Sequence, residues 1–297
     1  MTIVITTPTG NVGGRIAALL LDAGEAITVV ARDKKRVAAL ESRGATVVEG
    51  SHSDPAVLVE ATRDAKALFL ATPPHLQSED IVAFYKQFGT AAAQAIRENG
   101  IPHVVHLSSV GADKPSGTGP VVGLYENERI LNPVARSLVH LRPAYFMENT
   151  LGQIHAIATA GQLFTSMRGD TTFPMIATRD IAKRAASLLT ETPRDGFRIV
   201  ELMGAEDISY NKVAAILSEI LGRALRHTTV PSSALVDTIV QMGGSKHMGE
   251  ALAELADGIE TGHISFMKPR NDETRTPTTY LQFAQQVFKP AFEAGAQ

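Results

Sequence analysis

Apolar runs and helix-period segments alternate through the first half of the chain. Short β-branched stretches at 3–7, 26–31, 45–49, 67–72 and 103–108 are each followed by a segment whose apolar residues recur at helical spacing. The stretches are apolar throughout, which implies strands buried on both faces. The helices between them imply a parallel sheet with right-handed crossovers. Segments 138–142 and 197–202 read as two further strands of the same sheet. After Pro143 the rhythm changes, and helices are expected at about 146–160, 178–191, 209–222, 232–242, 246–260 and 277–293. Asp207-Ile208-Ser209 opens the third of these and Gly222 stops it. The pattern therefore predicts an α/β chain: a doubly wound parallel sheet over 1–150, then a smaller, mainly helical domain over 151–297. The strand near 197–203 is expected to return to the first sheet.

Composition narrows the function classes. The 297 residues carry 28 basic and 31 acidic side chains, a net charge of −3, which argues against a non-specific nucleic-acid binder. With no cysteine there is no disulfide, thiolate metal site or catalytic thiol, and the redox compartment is unreadable from cysteine usage. The start of the chain lacks the pattern of a signal peptide. The most apolar stretches, such as 16–21, are too short to cross a bilayer, so a cytoplasmic location without membrane contact is expected. His103 and His106 are not a metal pair, because strand residues three apart point to opposite faces. His106 reads as a packed histidine beneath the ligand cleft and His103 as a strand-start residue; no metal is expected. Met242, Met248 and Met267 read either as lining of an adaptable apolar pocket or as ordinary core.

The chemistry is concentrated where the first strand ends. Thr7, Thr9, Gly10, Asn11, Val12 and Gly13 turn directly into a helix. A pyrophosphate needs backbone N–H groups and no obstructing side chains, and a glycine turn at a helix N-terminus supplies both. The second strand ends at Arg32, 22 residues after Gly10, where the residue that reads the ribose usually stands. An acid there would accept from the 2′-hydroxyl of NAD; a guanidinium suits the 2′-phosphate of NADP. Lys35 and Arg36 add charge, so NADP(H) is expected over NAD(H). The Gly/Ser/Pro cluster 114–119 reads as a mobile loop at the carboxyl end of the sheet.

The ordered set of this turn, Leu107-Ser108-Ser109-Val110-Gly111, Leu141-Arg142-Pro143 with Phe146-Met147-Glu148-Asn149, and Arg179-Asp180-Ile181-Ala182 resembles the NmrA-like branch of atypical short-chain dehydrogenases/reductases. Leu221-Gly222-Arg223 and Arg275-Thr276-Pro277-Thr278-Thr279-Tyr280 continue the likeness. The resemblance implies a Rossmann domain, a small C-terminal domain and a cleft between them. It implies that the glycine turn holds the pyrophosphate and that Ala71, Thr72 and Pro73 line the ribose and nicotinamide side. Ser108 and Ser109 would face the nicotinamide. Pro143, Tyr145 and Phe146 would wall the pocket, and Asn149 would approach the substrate, with His75 as a further candidate. The family usually has glycine where this chain has Thr7, so the turn must avoid positive φ or carry strain. An acid commonly follows the glycine after the third strand; here Gly50 precedes Ser51-His52-Ser53, with Asp54 as a possible replacement.

The Tyr-x-x-x-Lys pair of typical short-chain reductases is missing. The nearest match is Tyr125-x-x-x-Arg129 on a helix over 123–131, which makes Tyr125 the one candidate proton donor. Aligning Glu128 with the family's glutamate puts Leu124 where the lysine would be. Loss of the dyad leaves hydride transfer open, since a quinone-like acceptor needs mainly to be placed over the nicotinamide. Two functions are thus expected in order: an NADPH-dependent reductase of a small quinone-like or conjugated carbonyl substrate, or a non-catalytic NADP(H)-binding redox sensor acting through a protein partner. No Gly-x-Ser-x-Gly elbow makes a nucleophile of Ser108 or Ser109.

Overall fold

The computed structural model describes residues 1–295. Strands β1 (Thr2–Ile5), β2 (Ile27–Ala31), β3 (Thr46–Glu49), β4 (Ala65–Leu70), β5 (Val104–Leu107) and β6 (Ser137–Pro143) lie parallel with the strand Gly196–Leu202 in one seven-stranded sheet. Its order is Gly196–Leu202, β6, β5, β4, β1, β2, β3, so the direction of winding reverses beside β1. That reversal opens the crevice at the carboxyl ends of β1 and β4, where ligands of this architecture sit.

Alternate side chains serve opposite faces. Ile3 and Ile5 of β1, with Val29, Phe69 and Val139, pack under helices α1 (Gly13–Asp22) and Thr178–Thr190. Val4, Val30, Leu68, Leu70 and Val104 turn the other way. They contact α3 (Pro55–Ala61), α4 (Ile81–Asn99) and the end of α5 (Val121–Leu131), while Leu40 of α2 (Ala38–Glu41) packs with the first group. Both faces are therefore covered, as the unbroken apolar runs required.

Beyond β6 the chain is mainly helical, with short strands between. Tyr145–Phe146, Phe173–Ile176 and Asp207–Ile208 form a three-stranded sheet, and Gln162–Thr165 pairs with Arg226–Thr229. Their core gathers Met147, Leu163, Met175, Tyr210, Leu217, Tyr280 and Phe288. Segment 146–160 divides into a 3-10 stretch, Met147–Gln153, and a short helix, Ile154–Ala160. The last helix starts at Tyr280 rather than 277. Thr278 donates its N–H and its hydroxyl to the Asp180 carboxylate, which keeps it out of the helix, and Thr279 and Gln282 form a capping box behind it. Asp207–Ile208 is a strand, Ser209 caps the next helix, and Gly222 ends it at φ 64°. No helix among the described residues is long and apolar enough to cross a membrane.

Candidate functional site: a dinucleotide cleft and the pocket beside it

β1 delivers the turn in a fixed position. The Thr6 hydroxyl donates to the Phe69 carbonyl at 3.1 Å and accepts from the Ala71 N–H at 3.0 Å, tying the ends of β1 and β4 together. Thr7 follows at φ 52°, alone among the described non-glycine residues in the left-handed region, so the turn takes the strained course. Gly10 N–H then donates to the Thr7 carbonyl, and α1 begins at Gly13. A β-carbon at Gly13 would meet the carbonyl oxygens of Thr7 and Thr6, so only glycine lets the helix start this close to the strand. The first turn of α1 has no side-chain cap and no acidic residue. Its positive end thus faces a cleft of about 850 Å³ without compensation.

Thr7, Thr9, Gly10, Asn11, Val12, Gly13, Arg32, Ala71, Thr72 and Pro73 all line that cleft. Uncompensated helix dipole, bare glycine floor and volume fit a dinucleotide pyrophosphate. Arg36 lines it as well as Arg32, while Lys35 is not part of the wall. Lys34 is held away by Glu41 at 2.7 Å. Asp54 is occupied as the N-cap of α3, accepting from the Ala56 N–H. Gly50 and His52 both line the cleft. His52 is buried against Phe88 and donates from Nε2 to the Ala71 carbonyl at 2.9 Å. Burial pushes it down to about 4, with the Ala71 hydrogen bond opposing and Arg32 adding to the shift. Its Nδ1 is then an acceptor. The sequence offered no signal for His52 beyond the departure from the family's acid.

Just past β5, Ser108 is tied to α5 and, through it, to β6 rather than lining the dinucleotide cleft. The Ser108 hydroxyl is buried and donates to Glu128 Oε1 at 2.6 Å. Glu128 in turn takes two hydrogen bonds from Arg142, at 2.9 and 2.6 Å, and both side chains are almost wholly buried. Burial works against the Arg142 charge, but the hydrogen bonds and charge of Glu128 outweigh it and hold the guanidinium above its usual pKa. Pro143 is buried as the last residue of β6. Ser109 does line a cavity, and so does Ala144.

That cavity, of about 300 Å³, adjoins the dinucleotide cleft through Pro74, Phe146 and Asn149. Its walls are apolar residues such as Ile81, Leu252 and Ile259, with Met248 among them, and its polar groups are His75, Tyr85, Ser109, Tyr145 and Asn149. His75 stacks on Phe84 with ring centroids 4.7 Å apart. Burial raises the Tyr85 phenol to about 12, so it keeps its proton at neutral pH. Tyr125 lies outside both cavities; its ring carries the Arg129 guanidinium 5.6 Å from the centroid. Met242 is exposed.

His103, His106 and His140 are hydrogen-bonded within the fold. His103 pairs with Ser137 and with the Leu188 carbonyl. His140 donates to Asn132 and accepts from His106 Nδ1 at 3.1 Å, and burial depresses both rings strongly. Among the described residues no group of three His, Asp or Glu could hold a metal.

The chain belongs to the NmrA-like family, whose model matches residues 1–278. It is 30% identical over 272 residues to a (4-alkanoyl-5-oxo-2,5-dihydrofuran-3-yl)methyl phosphate reductase of Streptomyces griseus subsp. griseus, covering 91% of this chain and 92% of that one. Triphenylmethane reductase of Citrobacter sp., solved with NADP(H), superposes with a TM-score of 0.81 at 21% identity, covering 96% of this chain and 100% of that one. An NADPH-dependent quinone oxidoreductase from Escherichia coli gives 0.78 at 21% identity, covering 97% and 100%.

Proposed function

We propose that this chain, an NAD(P)H-dependent oxidoreductase of the NmrA-like family, uses NADPH to reduce a small quinone-like or conjugated carbonyl acceptor. One observation carries the reading: the dinucleotide cleft adjoins, at Pro74, Phe146 and Asn149, an apolar pocket whose lining has no Tyr–Lys pair. NADPH supplies the hydride when bound.

The protein's part is binding and placement. The N-terminus of α1 and the Gly10–Gly13 floor hold the pyrophosphate, and Arg32 and Arg36 hold the 2′-phosphate, favouring NADPH over NADH. The apolar walls take the face of a planar acceptor, while His75, Asn149 and Tyr145 orient its oxygen. The oxygen takes its proton from water, so Tyr125 has no share in the step. The Streptomyces relative, named for a substrate that carries a ring carbonyl and an alkanoyl group, supports a conjugated carbonyl class.

NADPH oxidation should be followed with a panel of quinones and dyes, beside the affinities for NADP+ and NADPH. Turnover on several acceptors is expected, unchanged within about twofold in Tyr125→Phe. Tight binding without turnover, with a marked preference for one redox state, would overturn the reading in favour of a redox sensor that signals to a protein partner.

A further inference from the structure

A second cavity, of about 440 Å³, lies beyond the acceptor pocket. The two share Val110, Ala144, Tyr145, Ile259 and Ile264, so one wall serves both. Tyr145 stands in that wall, held edge-on to Phe173 with centroids 5.6 Å apart. Phe173, Pro174, Met203 and Phe266 make the far side apolar. Lys268 is its one charged lining residue, and it is exposed. Met203 and exposed Met267 give the walls unbranched, adaptable side chains.

The chemistry of this lining selects its occupant. A polar or charged ligand would be desolvated against walls with no buried polar partner to repay it. A flexible hydrocarbon has no polar group to desolvate there and gains from every methylene buried. The smaller cavity beside the dinucleotide cleft is of a size for a ring with short substituents, and the larger one adjoins it at the five shared residues. We infer that the second cavity receives an apolar tail carried by the acceptor, so that the natural substrate is a ring acceptor with an alkyl or acyl chain. This rests on the reductase reading for the position of the ring, and on the second cavity alone for the tail.

Isothermal titration of the NADP+-loaded protein with a series of 2-alkyl-1,4-benzoquinones, from no tail to eight carbons, tests it. Affinity should rise about fourfold per methylene until the cavity is full and then level off. Met203→Trp should flatten the series while leaving the tail-free quinone unaffected. Thr172→Trp, at the exposed rim, should do the same should Met203→Trp fail to fold. A flat series in the parent, or the same rise in parent and folded variant, would overturn the inference. The two readings fail separately. Length-dependent binding without NADPH turnover would overturn the reductase and keep the tail cavity; turnover with a flat series would do the reverse. Failure of every quinone to bind would overturn both.

Discussion

A β-carbon on Gly13 would lie 2.4 Å from the carbonyl oxygen of Thr7. The strand end and the helix start are in backbone contact there, and the dinucleotide floor is the result. Gly13→Ala must push α1 off the strand, costing about 1–3 kcal/mol of stability. NADPH affinity should fall at least tenfold with it. Calorimetric melting and NADPH titration check both, and native affinity in the alanine variant would show that the floor is not set by this contact.

Thr7 pays for its left-handed backbone. The cost for a residue with a β-carbon is about 1–2 kcal/mol, whereas glycine adds about 0.5–1 kcal/mol of unfolded-chain entropy. Thr7→Gly should therefore come out slightly more stable than the parent, by about 0.5–1 kcal/mol, and Thr7→Ala should show no such gain. Thermal melts of the two variants read this directly; a less stable glycine variant would contradict it.

Arg32 is proposed to read the adenosine 2′-phosphate. A hydrogen bond to a charged group is worth about 1.5–3 kcal/mol, so Arg32→Ala should weaken NADPH roughly 10- to 100-fold. NADH, which lacks the phosphate, should change less than about threefold. Equal losses for the two cofactors, measured by titration, would remove Arg32 from that role.

Glu128 and Arg142 form a charge pair that excludes water, with Ser108 as the third member. Glu128→Gln leaves the guanidinium charged and unneutralised in the interior, which costs about 3–5 kcal/mol. Adding Arg142→Met to the same chain should recover a large part of the loss in denaturant unfolding. A double variant as unstable as the single one would mean the pair also positions β5 and β6 in some other way.

His52 is depressed from its usual 6.5 to about 4. The unfolded chain thus binds a proton that the folded one refuses between those values, and stability must fall as pH drops through that window. The linkage is worth on the order of 3 kcal/mol, complete above pH 6.5 and spent below pH 4. His106 and His140, also depressed, act in the same direction. His52→Gln should show a shallower loss of stability from pH 6.5 to 4 in urea titrations. An unchanged slope would show that His52 titrates normally.

Local pattern carried much of this to the reader of the sequence. The seven sheet strands, the glycine turn and Arg32 all follow from periodicity, turn chemistry and fixed spacing, which are properties of neighbouring residues. What stayed hidden depends on partners far along the chain. Ser108 looks like any polar residue at a strand end until Glu128, on a helix, claims its hydroxyl. Thr278 reads as helical until the Asp180 carboxylate holds it. Thr7 left two courses open because its backbone is fixed by its carbonyl's contacts with Gly10 and with Gly13 at the start of α1. His52 gave no signal, since its tie is to a carbonyl at the end of another strand.

The strand Gly196–Leu202 matches β6 residue for residue, from Ser137 to Pro143. During synthesis this order matters. β6 leaves the ribosome well before its partner, and until residue 202 follows it, the nascent sheet has a row of unsatisfied amides and carbonyls along one side. Such a row recruits any extended chain within reach. Once the partner strand arrives, the open row passes outward to Gly196–Leu202 itself, the outermost strand of the finished sheet, so this edge stays the place where an extended chain would pair.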